Sequence, residues 1–377
     1  MTIQIAPPRG FRSFLSVLVV LGCFSAEATP EAIRPARTAP ASILAPPTGH
    51  EALRKQLLKR ARRRRGPIGS GEDLSGLFRG PFYGTFLGAN NQDLSLCDEQ
   101  SPFVYYLPME DGPSPLAVYF TGTLGNYDGW EAHLNLQRLA ARGFVAAAPD
   151  YGQKSILCPF FCDCYAPKAD CVSDPGLQGS LVSVLERDTL ADTSLGFVTW
   201  GHSQGGYVAV LAGDRNARLT RALATGTANP GGLYPCMEPE VRPLASESIR
   251  FVIGESDEVT GPRQAADTST DSGFIAQLAS LTGQPACAAS ASYSCLRENG
   301  SGYYIVSNGE VEDGVADHRY FIDHDQDGES PRSLSDAYRL ASPLPWSLDA
   351  SVDWLTGACG DGICADTETS LTCALDC

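Results

Sequence analysis

The sequence predicts an α/β protein with a doubly wound, mostly parallel sheet and helices on both of its faces. Short apolar runs, each the length of one buried strand, alternate along the chain with stretches of helical periodicity. A Gly-His-Ser-Gln-Gly pentapeptide at residues 201–205 directly follows one such run and precedes a helical stretch. The composition, 43% hydrophobic and 19% charged, is that of a globular protein and excludes wholesale disorder.

The predicted elements begin near residue 81. Residues 116–120 are a continuous apolar run, which is typical of a strand buried on both faces. Residues 130–142 have leucines at helical spacing and end before Gly143, a residue suited to the C-terminus of a helix. The other predicted strands are 144–148, 196–200, 219–225, 249–253 and 302–306, and the other predicted helices are 177–192, 205–213 and 264–281. In such sheets, functional residues gather on loops beyond the carboxyl ends of the strands.

Ser203 is the predicted nucleophile, because a serine between a strand and a helix occupies a tight turn that lifts its hydroxyl above the sheet. The same turn points the backbone amide of Gln204 toward an oxyanion formed on the attacked carbon. A second oxyanion donor is expected after strand 116–120, where small residues allow the amide of Thr123 to face Ser203. The alternatives are a glycine-rich turn whose serine only caps the helix, and a polar loop with no donor role.

A serine hydroxyl is a weak nucleophile unless a base accepts its proton, and His318 is the predicted base. It lies in a loop beyond strand 302–306, from which a side chain reaches back across the top of the sheet. His324, in an acidic run of the same loop, is the alternative base. His202 stands beside the nucleophile, where its side chain is expected to point elsewhere.

Asp257 is the carboxylate predicted to fix the tautomer of the base and to stabilise its protonated form. It lies four residues past the end of strand 249–253, in an acidic turn. The order Ser, Asp, His along the chain is the one used by proteins with this strand–serine–helix turn. Glu255 and Glu258 are rival carboxylates in the same turn, and a solvated acidic turn is the ordinary alternative.

Together these residues resemble the α/β-hydrolase superfamily. Residues 139–150 look like the helix-to-strand passage of its dienelactone-hydrolase-like, platelet-activating-factor-acetylhydrolase-like and cutinase/lipase-like branches, and the similarity covers roughly residues 100–357. The resemblance implies a sheet of about eight strands and hydrolysis of a carboxylic ester through an acyl-serine. The chain departs from the family in two places. Thr121-Gly122 stands where many relatives have His-Gly, and residues 158–171 form a cysteine-bearing insert, which is expected to shape the acyl or alcohol pocket.

The leading interpretation is therefore an exported serine esterase or lipase-like hydrolase. It is expected to be a monomer that acts on a small-molecule, lipid or polyester ester and requires no cofactor. A serine peptidase or amidase of the same fold and a catalytically inactive binding protein are the alternatives. Residues 81–377 carry 15 basic and 39 acidic residues, an acidic balance that repels nucleic acid.

Four segments are predicted along the chain. Residues 1–28 are a bacterial signal peptide, with two arginines before an apolar stretch and a small-x-small cleavage site. Alternatively, the Val-Leu-Gly-Cys sequence ending at Cys23 resembles a lipobox, which would make the protein an outer-membrane lipoprotein. Residues 29–80 are a Pro/Ala-rich and basic linker or propeptide, 81–357 the α/β-hydrolase catalytic domain, and 358–377 a cysteine-rich tail.

The cysteines predict an oxidising compartment. The chain has 13, and those that remain after Cys23 is removed or lipidated form an even set. Even parity and export together predict a secreted or periplasmic protein with as many as six disulfides. The four cysteines of residues 158–171 have a spacing that matches no common zinc pattern and favours disulfides.

Three further segments have open alternatives. Residues 50–65 place leucines at helical spacing among Lys and Arg, which predicts either peripheral contact with an anionic membrane or a solvated linker. Residues 323–328 match the first half of a calcium loop, but Leu334 stands where an EF-hand has glutamate, so structural calcium and a solvated loop both stay open. Residues 229–247 are a lid or only a loop.

Overall fold

The computed structural model describes residues 74, 76–90, 96–123, 125–153, 162–227, 237, 243–261, 271–289, 293–311, 314–318 and 346–357. The predicted signal peptide, Cys23 and the basic segment 50–65 lie outside these residues. The same is true of His324 with the calcium-like loop, of the cysteine-rich tail, and of most of residues 229–247.

The described residues contain nine strands in one sheet. They are β1 (Phe78–Ala89), β2 (Cys97–Pro108), β3 (Leu116–Phe120), β4 (Val145–Pro149), β5 (Phe197–His202), β6 (Leu219–Thr225), β7 (Ile249–Gly254), β8 (Ser294–Leu296) and β9 (Gly302–Val306). Their order across the sheet is β1-β2-β4-β3-β5-β6-β7-β9-β8. The six strands from β4 to β9 in that order are parallel, and the antiparallel pairs described are β1 with β2, β2 with β4, and β8 with β9.

Helices cover both faces of this sheet. They are α1 (Trp130–Ala141), α2 (Cys162–Ser173), α3 (Leu181–Asp188), α4 (Gln204–Arg215), α5 (Asp271–Leu281), α6 (Pro285–Ala289) and α7 (Leu348–Thr356). Successive side chains of β3 point to opposite faces, as the pleat of a strand requires. Val118 and Phe120 join the core cluster formed with α2, α4 and α5, whereas Ala117 and Tyr119 join the cluster formed with α1 and α7. The predicted fold class, a doubly wound and mostly parallel sheet, is confirmed.

The buried central strands follow the sequence prediction closely. Strands β3, β6 and β9 have the predicted bounds, and β3 is a continuous apolar run that is buried along its whole length. The helix predicted over residues 177–192 is wrong in length. Its described counterpart α3 begins after Ser180, whose hydroxyl accepts a hydrogen bond from the Ser183 amide, and ends at Asp188. A side chain that caps a helix end competes with a longer helix, and the hydrophobic spacing does not reveal this.

The largest difference from the sequence prediction lies at the β1–β2 edge of the sheet. Strands β1 and β2 are not among the predicted elements. Residues 80–83 of β1 are all exposed, and the strand lacks a continuous apolar run. β1 begins at Phe78, so residues 78–80 of the segment predicted as a linker belong to the sheet. None of the described helices has the length and apolar character needed to cross a membrane.

Two disulfides are described in full. Cys97 at the start of β2 pairs with Cys171 in α2, and Cys287 in α6 pairs with Cys295 in β8. Cys164, also in α2, is disulfide-bonded as well. The prediction of disulfides in place of a zinc site is therefore confirmed for Cys164 and Cys171.

Candidate active site

Ser203 occupies the sharp turn between strand β5 and helix α4. Its φ of +52° and ψ of −121° make it the one non-glycine residue at positive φ in the described part of the chain. Such a conformation costs on the order of 1–3 kcal/mol and persists only where the surroundings enforce it. The flanking glycines allow the turn, since a Cβ on Gly201 would lie 2.0 Å from the Gly205 carbonyl oxygen. The pentapeptide therefore folds as the sequence predicts, with the serine at its apex.

Two later loops bring a histidine and a carboxylate to Ser203. The Nε2 atom of His318 lies 3.0 Å from the Ser203 Oγ, and its Nδ1 lies 2.8 Å from Oδ2 of Asp257. Asp257 follows β7 and is fully buried, whereas Ser203 and His318 are 8% and 9% exposed. The three predicted side chains thus form one hydrogen-bonded line, and solvent reaches the end that carries the hydroxyl.

The Asp257 carboxylate is held by more than the imidazole. Its Oδ1 accepts hydrogen bonds from the backbone amides of Val259 and Thr260, each at 2.8 Å. Burial raises the pKa of Asp257. The hydrogen bond from His318, the charge that this imidazole carries when it is protonated, and the two backbone amides together outweigh burial and keep the pKa below its ordinary value. An ionised Asp257 accepts the Nδ1–H of His318, which leaves Nε2 free to accept the proton of Ser203.

The rival carboxylates of the acidic turn are placed elsewhere. The Glu255 carboxylate accepts a hydrogen bond from the backbone amide of Asn308 at 2.8 Å, and the Glu258 side chain is exposed. Among the described residues, Asp257 is therefore the carboxylate that meets His318. No group of three or more His, Cys, Asp or Glu side chains in the described part of the chain is arranged to hold a metal ion.

The turn after β3 passes directly against Ser203. A Cβ on Gly122 would lie 3.2 Å from the Ser203 Cβ, so only a residue without a side chain fits here comfortably. The next residue, Thr123, contacts the side chain of Gln204 through its hydroxyl at 3.2 Å. In the described part of the chain, neither the Thr123 nor the Gln204 backbone amide donates to another protein group. The two predicted oxyanion donors thus lie on touching turns.

Sequence reasoning missed a buried polar network behind these turns. Lys168 of α2 is 1% exposed, and its ammonium donates to the Gly152 carbonyl at 2.9 Å. The Tyr151 hydroxyl donates to the Thr121 carbonyl, and Gln153 donates to the Gly125 carbonyl at 3.2 Å. One sequence signal was available, namely a lysine among the apolar and cysteine residues of the insert.

The side chain of His202 was also misjudged. Its ring does not point away from the site but lies against the ring of His318, with centroids 5.0 Å apart. Residue spacing carries no information about the direction of this side chain.

The sheet, the helices on both faces and the serine turn have the architecture of the α/β-hydrolase fold. No protein-family model matches the chain, and no curated protein matches it. Solved structures are similar to it. One is assigned as a dienelactone hydrolase from Klebsiella pneumoniae, at 16% identity over 66% of this chain and 94% of that one, with a TM-score of 0.38.

Two further solved structures are similar to this chain. An S-formylglutathione hydrolase from Agrobacterium tumefaciens is 17% identical over 48% of this chain and 78% of that one, with a TM-score of 0.33. A cold-adapted esterase from an Arctic intertidal metagenomic library is 13% identical over 52% of this chain and 83% of that one, with a TM-score of 0.36.

Proposed function

We propose that this protein is a serine hydrolase that cleaves carboxylic esters through an acyl-serine intermediate. The observation that supports it is the line from the Ser203 hydroxyl through His318 to the ionised Asp257, with contacts of 3.0 and 2.8 Å. A hydroxyl on a strained turn, a base within reach and a buried carboxylate behind the base are the parts of an activated nucleophile.

In the acylation step, the Ser203 Oγ attacks the ester carbonyl carbon while its proton passes to Nε2 of His318. The negative charge that develops on the carbonyl oxygen is stabilised by the backbone amides of Gln204 and Thr123. When the tetrahedral intermediate collapses, the bond to the alcohol oxygen breaks, and that oxygen takes the proton from His318. Asp257 stabilises the imidazolium throughout and does not itself become protonated.

In the deacylation step, a water molecule gives its proton to His318 as it attacks the acyl carbon. The second intermediate releases the carboxylic acid, and the proton returns to the Ser203 Oγ. Every proton is carried by His318, so the proposed reaction uses no metal or organic cofactor. The proposed substrate is a small-molecule, lipid or polyester ester, because the attack of Ser203 needs an ester carbonyl and the Ser203 side chain is partly open to solvent. Residues 81–377 carry 15 basic and 39 acidic residues, a balance that disfavours nucleic acid.

We also propose that the protein is exported. Five cysteines in the described part of the chain are disulfide-bonded, and disulfides persist in secreted and periplasmic compartments; they are Cys97, Cys164, Cys171, Cys287 and Cys295. The predicted signal peptide at residues 1–28 supports the same compartment. Signal peptidase processing and lipidation at Cys23 are distinguished by the mass of the mature N-terminal peptide.

Turnover of p-nitrophenyl butyrate by the wild type and by Ser203→Ala tests the proposed activity. The wild type is expected to hydrolyse the ester, and the variant is expected to lose on the order of 10⁶ in kcat, since removal of a nucleophile of this kind costs about that much. The matched p-nitroanilide separates the esterase from a peptidase or amidase. Faster turnover of the anilide, or equal turnover by the Ser203→Ala variant, would contradict the proposal.

A further inference from the structure

Helix α2, which begins inside the cysteine insert, is docked tightly beside the serine turn. Tyr165 of α2 stacks on Tyr207 of α4, with ring centroids 5.2 Å apart. The disulfide from Cys171 ties the same helix to Cys97 at the start of β2. These contacts hold Lys168, three residues before Cys171, at a fixed position under the turn that contains Ser203.

The Lys168 ammonium determines how the Gln204 side chain is oriented. An ammonium only donates and a backbone carbonyl only accepts, so a glutamine between them has one satisfied orientation. In that orientation the Gln204 Oε1 accepts from Lys168 Nζ at 3.1 Å, and its Nε2 donates to the Gln153 carbonyl at 3.1 Å. The same Nε2 then donates to the Thr123 hydroxyl at 3.2 Å.

The charge state of Lys168 agrees with this role. Burial lowers its pKa to about 8, although the charge of Asp150 acts in the opposite direction. The ammonium is therefore the major form at neutral pH. It also lies 5.7 Å from the centre of the Tyr151 ring, a cation–π distance.

We propose that Lys168 is a positioning residue for the oxyanion site: through the Gln204 side chain it holds the Thr123 turn at the place where the carbonyl oxygen of an ester becomes negative. The inference rests on the proposed function. It assigns the insert an indirect part in catalysis. Lys168 is too deeply buried to touch substrate, so it acts only by positioning other groups.

Lys168→Met tests this, because methionine keeps much of the side-chain volume and removes the charge and the donors. We expect kcat for p-nitrophenyl butyrate to fall by about 10- to 100-fold with KM little changed, since small displacements of a positioned group cost that much. A trifluoromethyl ketone, which Ser203 converts to a tetrahedral oxyanion adduct, is expected to bind more weakly by the same factor. A folded variant with wild-type kcat and wild-type inhibitor affinity would overturn the proposal.

Arg250→Met is the matched control. Arg250 is also a buried cation bonded to a backbone carbonyl, that of Gly300 at 2.6 Å, but it lies at the start of β7, the end opposite the Asp257 turn. We expect this variant to lose thermal stability while kcat and inhibitor affinity stay at the wild-type values. An equal kinetic loss in Arg250→Met and Lys168→Met would mean a general effect of removing buried cations and would overturn the proposal.

Gln204→Met tests whether Lys168 acts through the Gln204 side chain, because this substitution removes the side-chain amide and keeps the backbone N–H. We expect its kinetic loss to match that of Lys168→Met, and the double variant to lose no more than about threefold beyond either single variant. This variant also decides the matter if Lys168→Met does not fold. Wild-type kinetics in Gln204→Met, or fully additive losses in the double variant, would overturn the proposal.

The behaviour of the wild type distinguishes a failure of the proposed hydrolase function from a failure of the proposed role of Lys168. If it hydrolyses the ester and reacts with the ketone while both variants behave like it, Lys168 has no positioning role and the proposed function stands. If the wild type shows neither ester turnover nor ketone binding, the proposed function itself fails.

Discussion

The groups on the two sides of Ser203 differ in kind: side chains act on one side, and backbone amides are proposed to act on the other. On one side, His318 and Asp257 act through their own side chains, and two hydrogen bonds define the geometry. On the other side, the proposed donors are backbone amides, whose direction depends on how residues 121–123 pack against residues 203–204. The first side is vulnerable to a change of chemical group, whereas the second is vulnerable to small displacements of the backbone.

Asp257→Asn tests the side of Ser203 that acts through side chains, and its expected effect on kcat is larger than that of any change on the backbone side. The amide leaves the shape of the site intact but favours the wrong tautomer of His318, so kcat is expected to fall by about 10⁴-fold. Steady-state kinetics with p-nitrophenyl butyrate measure this. A loss under tenfold, with the variant folded, would mean that Asp257 does not orient the base.

Gly122→Ala tests the backbone half. The new Cβ would lie 3.1 Å from the His202 ring and 3.2 Å from the Ser203 Cβ, so the turn has to shift by a few tenths of an ångström. We expect kcat to fall by about 10- to 100-fold while labelling of Ser203 by a fluorophosphonate persists at a reduced rate. Unchanged kcat would show that residues 121–123 have no part in catalysis.

The two described disulfides extend the comparison to stability. Cys97–Cys171 spans 74 residues and anchors the helix of Lys168, and loop-closure entropy predicts about 4.5 kcal/mol from it. Cys287–Cys295 spans 8 residues, and the same relation predicts about 2.5 kcal/mol from it.

Paired Cys→Ser variants, compared by urea unfolding and ester turnover, separate the two bridges. Removal of the long bridge is expected to lower both stability and kcat, whereas removal of the short one lowers stability alone. Equal kcat values in the two variants would mean that anchoring α2 does not matter for activity.

The smallest expected effect is the pH dependence of stability at Asp257. Its pKa in the folded protein is below the ordinary value, so ionised Asp257 stabilises the fold at any pH above the pKa of the unfolded chain. This contribution is lost as the pH falls through the pKa of the folded protein. The difference in Tm between the wild type and Asp257→Asn should therefore shrink on acidification below the ordinary carboxyl range. A difference that grows instead would contradict the depressed pKa.

Sequence reasoning succeeded where a residue's role depends on local pattern and chain order. Ser203 could be found because an apolar strand and a helix flank its pentapeptide, and Asp257 because it follows a buried strand in the right order. A lysine among apolar and cysteine residues was visible in the sequence, but its contact with Gln204 could not be predicted, because that contact depends on how α2 packs against α4. The direction of the His202 ring could not be found either, because residue spacing does not describe side-chain direction.

The location of a covalent adduct tests the central claim most directly. After reaction of the wild-type protein with a fluorophosphonate, peptide mass spectrometry should find the phosphonyl group on Ser203, and Asp257→Asn should react far more slowly at the same residue. An adduct on another side chain, or none on a protein that still hydrolyses esters, would contradict the account.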